Sequence, residues 1–381
     1  MAEAEVTDEF LTIPHCGGKV TFNYETIDGN RQVSAIYSSD SPFPASMFGV
    51  WALPNGHVVG TAATGWQGQG VPPPPSSDAF EVQIASDRES MFGRHCRSCN
   101  RYFRTNSAPF LWRQTCPYCG VRATTHYFTT PAQARYVKYY VEKLFDGINS
   151  EARQTIINLD EIADDAAKGL PKPTFYYEGE RQQLKFKCEV CKTYTDVLGH
   201  YAYCCCCGTK NNIAVLRESL NLIKNQSAGH PRPSDLLKLC VSEFESCGRD
   251  YVGQLAKWIP ATPKRKQRAL AIRFHDVDRF SRELSELFDI DPQRGISADD
   301  LAFARTRFFR RNLYEHRGGV VDQEYIDLSG DQKRLGQALR ETDGNVRSLC
   351  DIVTKLALNI HEGFHSILPP EQKALDVLAR R

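Results

Sequence analysis

Short runs rich in β-branched and aromatic residues fill the first 78 positions, at 19–24, 32–37 and 48–53. Each is bounded by turn-forming residues: Asp28, Gly29 and Asn30; Ser41, Pro42 and Pro44; Pro54, Asn55 and Gly56. Apolar stretches of this length between such breakers predict strands. The stretch from Gly65 to Pro75, glycine-rich and then four prolines, reads as a stiff exposed linker. From 132 to 168 the spacing turns helical, with Tyr136, Tyr140, Leu144, Ile156, Leu159, Ile162 and Ala163 as the apolar stripe, until Pro171 and Pro173 end it. A second stripe, Ile213, Leu216, Leu220 and Ile223, predicts a helix over about 212–224.

From 233 onward the pattern predicts four longer helices. The first, about 234–258, places Leu237, Cys240, Phe244, Cys247, Tyr251, Leu255 and Trp258 near heptad spacing. The second, about 267–289, uses Val277, Phe280, Leu284, Leu287 and Phe288. Ser297 with Asp299 and Asp300 opens the third as a capping residue and first-turn acids, and it runs to Gly318 and Gly319. The fourth, about 345–367, carries Val346, Leu349, Val353, Leu356, Ile360 and Phe364 and stops at Pro369 and Pro370. Four such helices are expected to form an all-α bundle. The expected fold is multidomain: a β-rich domain over 1–78, then a first cysteine-bearing module over 79–131. A helical connector over 132–172, a second cysteine-bearing module with its following helix over 173–232, and the four-helix bundle over 233–381 complete it.

Composition narrows the function classes. The 381 residues are 41% hydrophobic and 24% charged, enough to build real cores. Net charge is +1, from 47 basic against 46 acidic residues, so any nucleic-acid affinity must come from a local patch. The start is acidic and lacks the apolar segment of a signal peptide, and no run approaches the ~18 apolar residues of a membrane span. A soluble, cytoplasmic protein is the expectation.

Cysteine spacing carries the firmest chemistry. Cys96 and Cys99 are followed after sixteen residues by Cys116 and Cys119, then Gly120. Cys188 and Cys191 are followed after twelve by Cys204 and Cys207, then Gly208. A Cys-x2-Cys turn presents two sulfurs on one side, and a second completes a tetrahedral cage for Zn²⁺. Glycine after the last cysteine allows the positive φ such a turn needs. These two units resemble zinc ribbons and imply two structural zinc ions, closed to substrate. Cys205 or Cys206 could shift the register of the second. Arg94, Arg97, Arg101, Arg104, Arg113 and Arg122, interleaved with Tyr102, Phe103 and Trp112, suggest that the first contacts nucleic acid. Cys240, Cys247 and Cys350 read as buried thiols, and Cys16 has no ligand turn beside it.

Near the end of the third long helix stand Arg311, Asn312 and His316. Asn312 and His316 are four apart and share a helical face, with Arg311 at its flank. Cleavage of RNA by its own 2′-hydroxyl needs a group that exchanges protons near pH 7 and a cation on the phosphorane. A histidine, with its unperturbed pKa near ~6.5, and an arginine fork supply them. The motif, its place at the close of a bundle helix, the following Gly318 and Gly319, and Asp322 and Tyr325 resemble the HEPN family of small helical ribonucleases over about 234–368. The resemblance implies a metal-independent endoribonuclease with Arg311 and His316 as the catalytic pair and Asn312 orienting substrate or histidine. It also implies RNA as partner, a homodimer facing two motifs across one cleft, and a toxin or antiviral role. The front half would sense or recruit through a partner or trigger the sequence does not reveal. The competing reading is a non-catalytic zinc-ribbon adaptor for nucleic acid or protein with a dimerising bundle. Pairing is expected because the other histidines lie far from this helix in sequence. Basic residues at 262–273 and 305–317 are expected to surround the motif with positive potential.

Overall fold

The computed structural model describes residues 18–28, 30–39, 46–62, 74–86, 90–106, 112–150, 152–167, 183–331 and 333–379. Cys16, the turn at 41–44, residues 65–73 of the expected linker, and Pro171 and Pro173 lie outside the described residues. The chain forms two units, Met1–Gly208 together with Glu371–Arg381, and Thr209–Pro370.

In the first unit, β1 (Gly18–Ile27) and β2 (Asn30–Ser39) pair as an antiparallel hairpin. β3 (Met47–Ala52) lies between β4 (Val58–Ala62) and β5 (Phe80–Ala85). β6 (Phe92–Cys96) and β7 (Arg101–Thr105) form a further hairpin, followed by the short pair β8 (Gln114–Thr115) and β9 (Arg122–Ala123). α1 (Pro131–Asn149) starts at a capping box, in which the Thr130 side chain and Gln133 satisfy each other's backbone N–H groups. Phe22, Val50, Val82, Tyr140, Leu144, Ile157 and Ile162 meet in one core, so the early strands pack with this helical region rather than apart from it.

The helix expected to run on to 168 is interrupted. α1 closes at Ser150, and β10 (Gln154–Asn158) pairs antiparallel with β1 before α2 (Leu159–Ala167) begins. Ile157 is 2% exposed and Ile156 59%, the alternation of a strand with one buried face. The apolar residues were assigned to a period of 3.6 when this segment uses a period of 2.

β11 (Gln183–Lys187) and β12 (Tyr194–Leu198) make the next hairpin. β12 also pairs with β7, through Thr195 with Thr105 and Asp196 with Arg104. The strands of both cysteine-bearing segments therefore belong to one four-stranded sheet, ordered β11-β12-β7-β6. Arg104 donates from Nε (2.9 Å) and Nη2 (2.6 Å) to Asp196 Oδ2, with both side chains buried.

The second unit is helical: α3 (Asn212–Ser227), α4 (Pro233–Trp258), α5 (Pro263–Leu270), α6 (Val277–Phe288), α7 (Ala298–His316), α8 (Gln323–Ser329) and α9 (Asp343–Ile367). α4 packs against α3, α7 and α9. Ser297 caps α7 by accepting from the Asp300 N–H, as its sequence suggests. The single helix expected over 267–289 is instead α5 and α6 with a turn between them. Asp276 caps α6 by accepting from the Arg279 N–H, and Ile272 and Phe274 of the turn are buried. Phe274 packs edge-on against Phe244, over Gly248 of α4, where a Cβ would stand 2.4 Å from its ring. Burying Phe274 fixes the turn and holds His275 beside it. The last helix, α10 (Gln372–Ala379), belongs to the first unit. No described helix is long and apolar enough to cross a membrane.

Candidate functional site

Two constellations carry chemistry. The first is the pair of four-cysteine clusters, Cys96, Cys99, Cys116 and Cys119, and Cys188, Cys191, Cys204 and Cys207, each with its sulfurs within 4.8 Å of one another. Four thiolates at ~2.3 Å around one zinc lie about 3.8 Å apart. Observed separations are 3.7 Å for Cys96 to Cys119, 3.8 Å for Cys99 to Cys116, 3.7 Å for Cys188 to Cys207 and 3.4 Å for Cys191 to Cys204. The donor sets therefore fit zinc.

All four Cys-x2-Cys turns are built alike. The residue after each second cysteine has positive φ: Asn100 at 55°, Gly120 at 75°, Lys192 at 62° and Gly208 at 75°. Its N–H donates back to the first cysteine's carbonyl, at 2.8, 3.0, 3.0 and 2.9 Å respectively. Glycine serves this left-handed position without strain in two of the turns. Asparagine fills a third, and lysine accepts the less comfortable geometry in the fourth.

Cys205 turns away from the second cluster into the core around the first, with its sulfur 2.9 Å from Thr105 Oγ1 and 3.4 Å from Thr195 Oγ1. The Cys206 carbonyl accepts from Trp112 Nε1 at 3.1 Å. Ala374 of α10 packs with Trp112 and the second cluster, and the Glu371 N–H donates to the Cys207 carbonyl.

Of the basic and aromatic residues around the first cluster, Arg94, Phe103, Arg104 and Trp112 are buried, whereas Arg97, Arg101 and Arg113 are exposed. Arg94 is 0% exposed, and its guanidinium lies 4.2 Å from the Phe48 ring centroid without a hydrogen-bond partner. Burial lowers its pKa to about 10. Arg104 is paired with Asp196, and Phe103 and Trp112 are buried. Arg101 stacks 3.6 Å over Tyr118 and donates to the Leu198 carbonyl.

The second constellation is a cavity of about 430 Å³ at the C-terminal end of α7. Arg311, Asn312 and His316 all line it. Arg311 Nη1 donates to Asn312 Oδ1 at 3.2 Å, and the Arg311 Nε–H is buried without a partner. After His316 the helix ends: the Arg317 and Gly319 N–H groups both donate to the Leu313 carbonyl. Gly318 and Gly319, at φ 60° and 81°, turn the chain back so that Asp322, Glu324, Tyr325 and Leu328 form the opposite wall. The turn between α5 and α6 adds His275, a second imidazole that sequence separation had placed far away. The only cue to it was Asp276, a capping residue that marks a helix start one position later.

Arg310, next to the motif, has a different place. It is buried and donates from Nε to Tyr325 Oη (3.1 Å), from Nη1 to Glu341 Oε1 (2.9 Å) and from Nη2 to Asp331 Oδ2 (2.7 Å). Burial alone would lower its pKa, but the hydrogen bonds to Asp331, Glu341 and Tyr325 outweigh it and push it up. Arg305 pairs with Asp278 at 2.8 Å, Arg307 faces Glu341 at 4.0 Å and Arg317 faces Asp322 at 3.6 Å. The basic stretch at 305–317 is therefore mostly neutralised by carboxylates. Among the described residues no ion pair ties Arg311 to a carboxylate, and Asp322 and Glu324 line the same cavity.

In comparisons with known proteins, no family model, no curated protein and no solved structure matches this chain.

Proposed function

We propose that the cavity on α7 is the site of a metal-independent endoribonuclease, as its resemblance to the HEPN family implies. The observation that carries this reading is the convergence of Arg311, Asn312 and His316 on one cavity, while the neighbouring Arg310 is committed to the protein interior. Arg311, with one N–H already held by Asn312, offers the rest of its fork to a phosphate. Its role is to stabilise charge building on phosphorus during attack by the 2′-hydroxyl. His316 exchanges a proton with one of the two oxygens, and Asn312 positions Arg311 or substrate. Both four-cysteine clusters hold structural zinc in this reading, and the front unit recruits or senses. A toxin or antiviral role and a cytoplasmic setting remain part of the proposal.

A second reading, an adaptor without catalysis, draws on the same cavity. Four of the five arginines at 305–317 face carboxylates, which leaves little field to gather a polyanion. The two readings part on one comparison. His316→Ala should abolish cleavage of labelled RNA while RNA binding persists, and Arg311→Ala should weaken both. An adaptor would show binding and no cleavage even in the unaltered protein.

A further inference from the structure

Cleavage by a 2′-hydroxyl moves two protons on opposite sides of one phosphate, and a single imidazole serves only one of them at a time. Pairing of two chains would bring in a second His316. The fold offers a nearer source. His275, on the turn between α5 and α6, lines the same cavity as Arg311, Asn312 and His316.

We propose that His275 is the base of this site, so that one chain carries both proton-transfer groups. The inference rests on the ribonuclease reading above and goes beyond it by completing the site without a partner. His275 is held from two sides: buried Phe274 before it anchors the turn on α4, and Asp276 after it caps α6. Its Nδ1 faces Glu245 Oε1 at 4.0 Å, beyond hydrogen-bond reach, and that oxygen is already held by Arg249 Nη2. Nε2 is the nitrogen we assign to substrate. Burial pushes the His275 imidazole down; Glu245 and Asp276 oppose this, while Arg273 and Arg311 add to it. That direction favours the neutral ring, the state a base requires.

The step balances as follows. His275 Nε2 takes the 2′-hydroxyl proton as the 2′-oxygen bonds to phosphorus. The bond from phosphorus to the 5′-oxygen breaks, and that oxygen leaves with a proton from His316. The products are a 2′,3′-cyclic phosphate and a 5′-hydroxyl, and solvent restores both imidazoles.

An RNA with sulfur in place of one bridging 5′-oxygen separates the roles, because a thiolate leaves without an acid. On ordinary RNA, His275→Ala and His316→Ala should each lose ~10²–10⁴-fold in rate. On the sulfur-bridged RNA, His316→Ala should recover to near the unaltered rate and His275→Ala should not. His275→Gln serves as the second variant, and matched urea midpoints show that both variants fold. The rate per chain should stay constant on dilution. Full cleavage by folded His275→Ala, or its rescue by the sulfur substrate, would overturn the assignment and leave the ribonuclease reading standing. A rate per chain that falls on dilution, with His275→Ala fully active, would give the role to a second chain's His316. An unaltered protein that cuts neither RNA would overturn both readings.

Discussion

Arg310 and Arg311 are adjacent in sequence, yet one is tied into the interior and the other lines the cavity, and substitution should expose the difference. Replacing Arg310 with methionine keeps the aliphatic stem but removes three donors. Glu341, whose side chain is 0% exposed, loses its closest cation and keeps Arg307 at 4.0 Å with hydrogen bonds from Tyr314 Oη at 3.2 Å and Asn345 Nδ2 at 2.8 Å. Asp331 keeps the Tyr325 hydroxyl, 2.5 Å away. Breaking a buried ion pair by deleting one partner costs about 3–5 kcal/mol, chiefly by stranding the other charge. With a urea dependence of about 2 kcal/mol per molar, the unfolding midpoint of the helical unit should fall by roughly 2 M. Arg311→Ala removes one hydrogen bond to Asn312 and an unpartnered N–H, so it should cost about 1 kcal/mol or less. Urea titrations followed by far-UV circular dichroism, beside RNA cleavage at a urea-free working point, measure both quantities. If Arg310→Met keeps the original midpoint and loses cleavage while Arg311→Ala does neither, the assignment of the motif arginine is refuted.

Three further outcomes are expected. Elemental analysis should find two zinc ions per chain; Cys204→Ala should lose one or both, whereas Cys206→Ala should retain both, because Cys206 lies outside the four-sulfur set. Since both clusters hang from one sheet tied by Arg104 and Asp196, Cys99→Ala should weaken zinc retention at the second cluster too, with the helical signal of the other unit preserved; independent loss would contradict the shared sheet. His361 Nδ1 shares a 2.7 Å hydrogen bond with Tyr251 Oη, and burial, with the charges of His365, Arg217 and Lys210, lowers its pKa to about 3. Between pH ~6.5 and 3 the unfolded chain binds a proton there that the native state does not, so stability should fall as pH drops through that window, by a few kcal/mol at its end. His361→Gln should flatten that limb in urea titrations across pH.

What could be read beforehand follows from how local each signal is. Zinc-ligand turns are set by spacings within a few residues, and Gly120 and Gly208 marked the left-handed positions that close them. Ser297 at the start of α7 and the apolar stripes of α4 and α9 were legible for the same reason. The shared sheet was not, because Thr105 and Thr195 pair although they stand ninety positions apart with no local mark. Arg94 and Arg104 looked like surface residues by type, and only the packing of Phe48 and the placement of Asp196 bury them. Ile156 fitted a helical stripe until pairing with β1 imposed alternation. His275 was hidden by the same kind of error. The apolar stripe from Val277 to Phe288 was extended back to 267, across the turn that carries His275 to the cavity.

The central claim is that the cavity holding Arg311, Asn312 and His316 cuts RNA without a catalytic metal. End-labelled RNA incubated with the full chain in magnesium-free buffer containing EDTA, with product ends identified, tests it most directly. The account predicts cleavage by the unaltered protein to 2′,3′-cyclic phosphate ends, and none by His316→Ala of matched stability. Intact RNA with the unaltered protein, or cleavage that continues at full rate in His316→Ala, would contradict it.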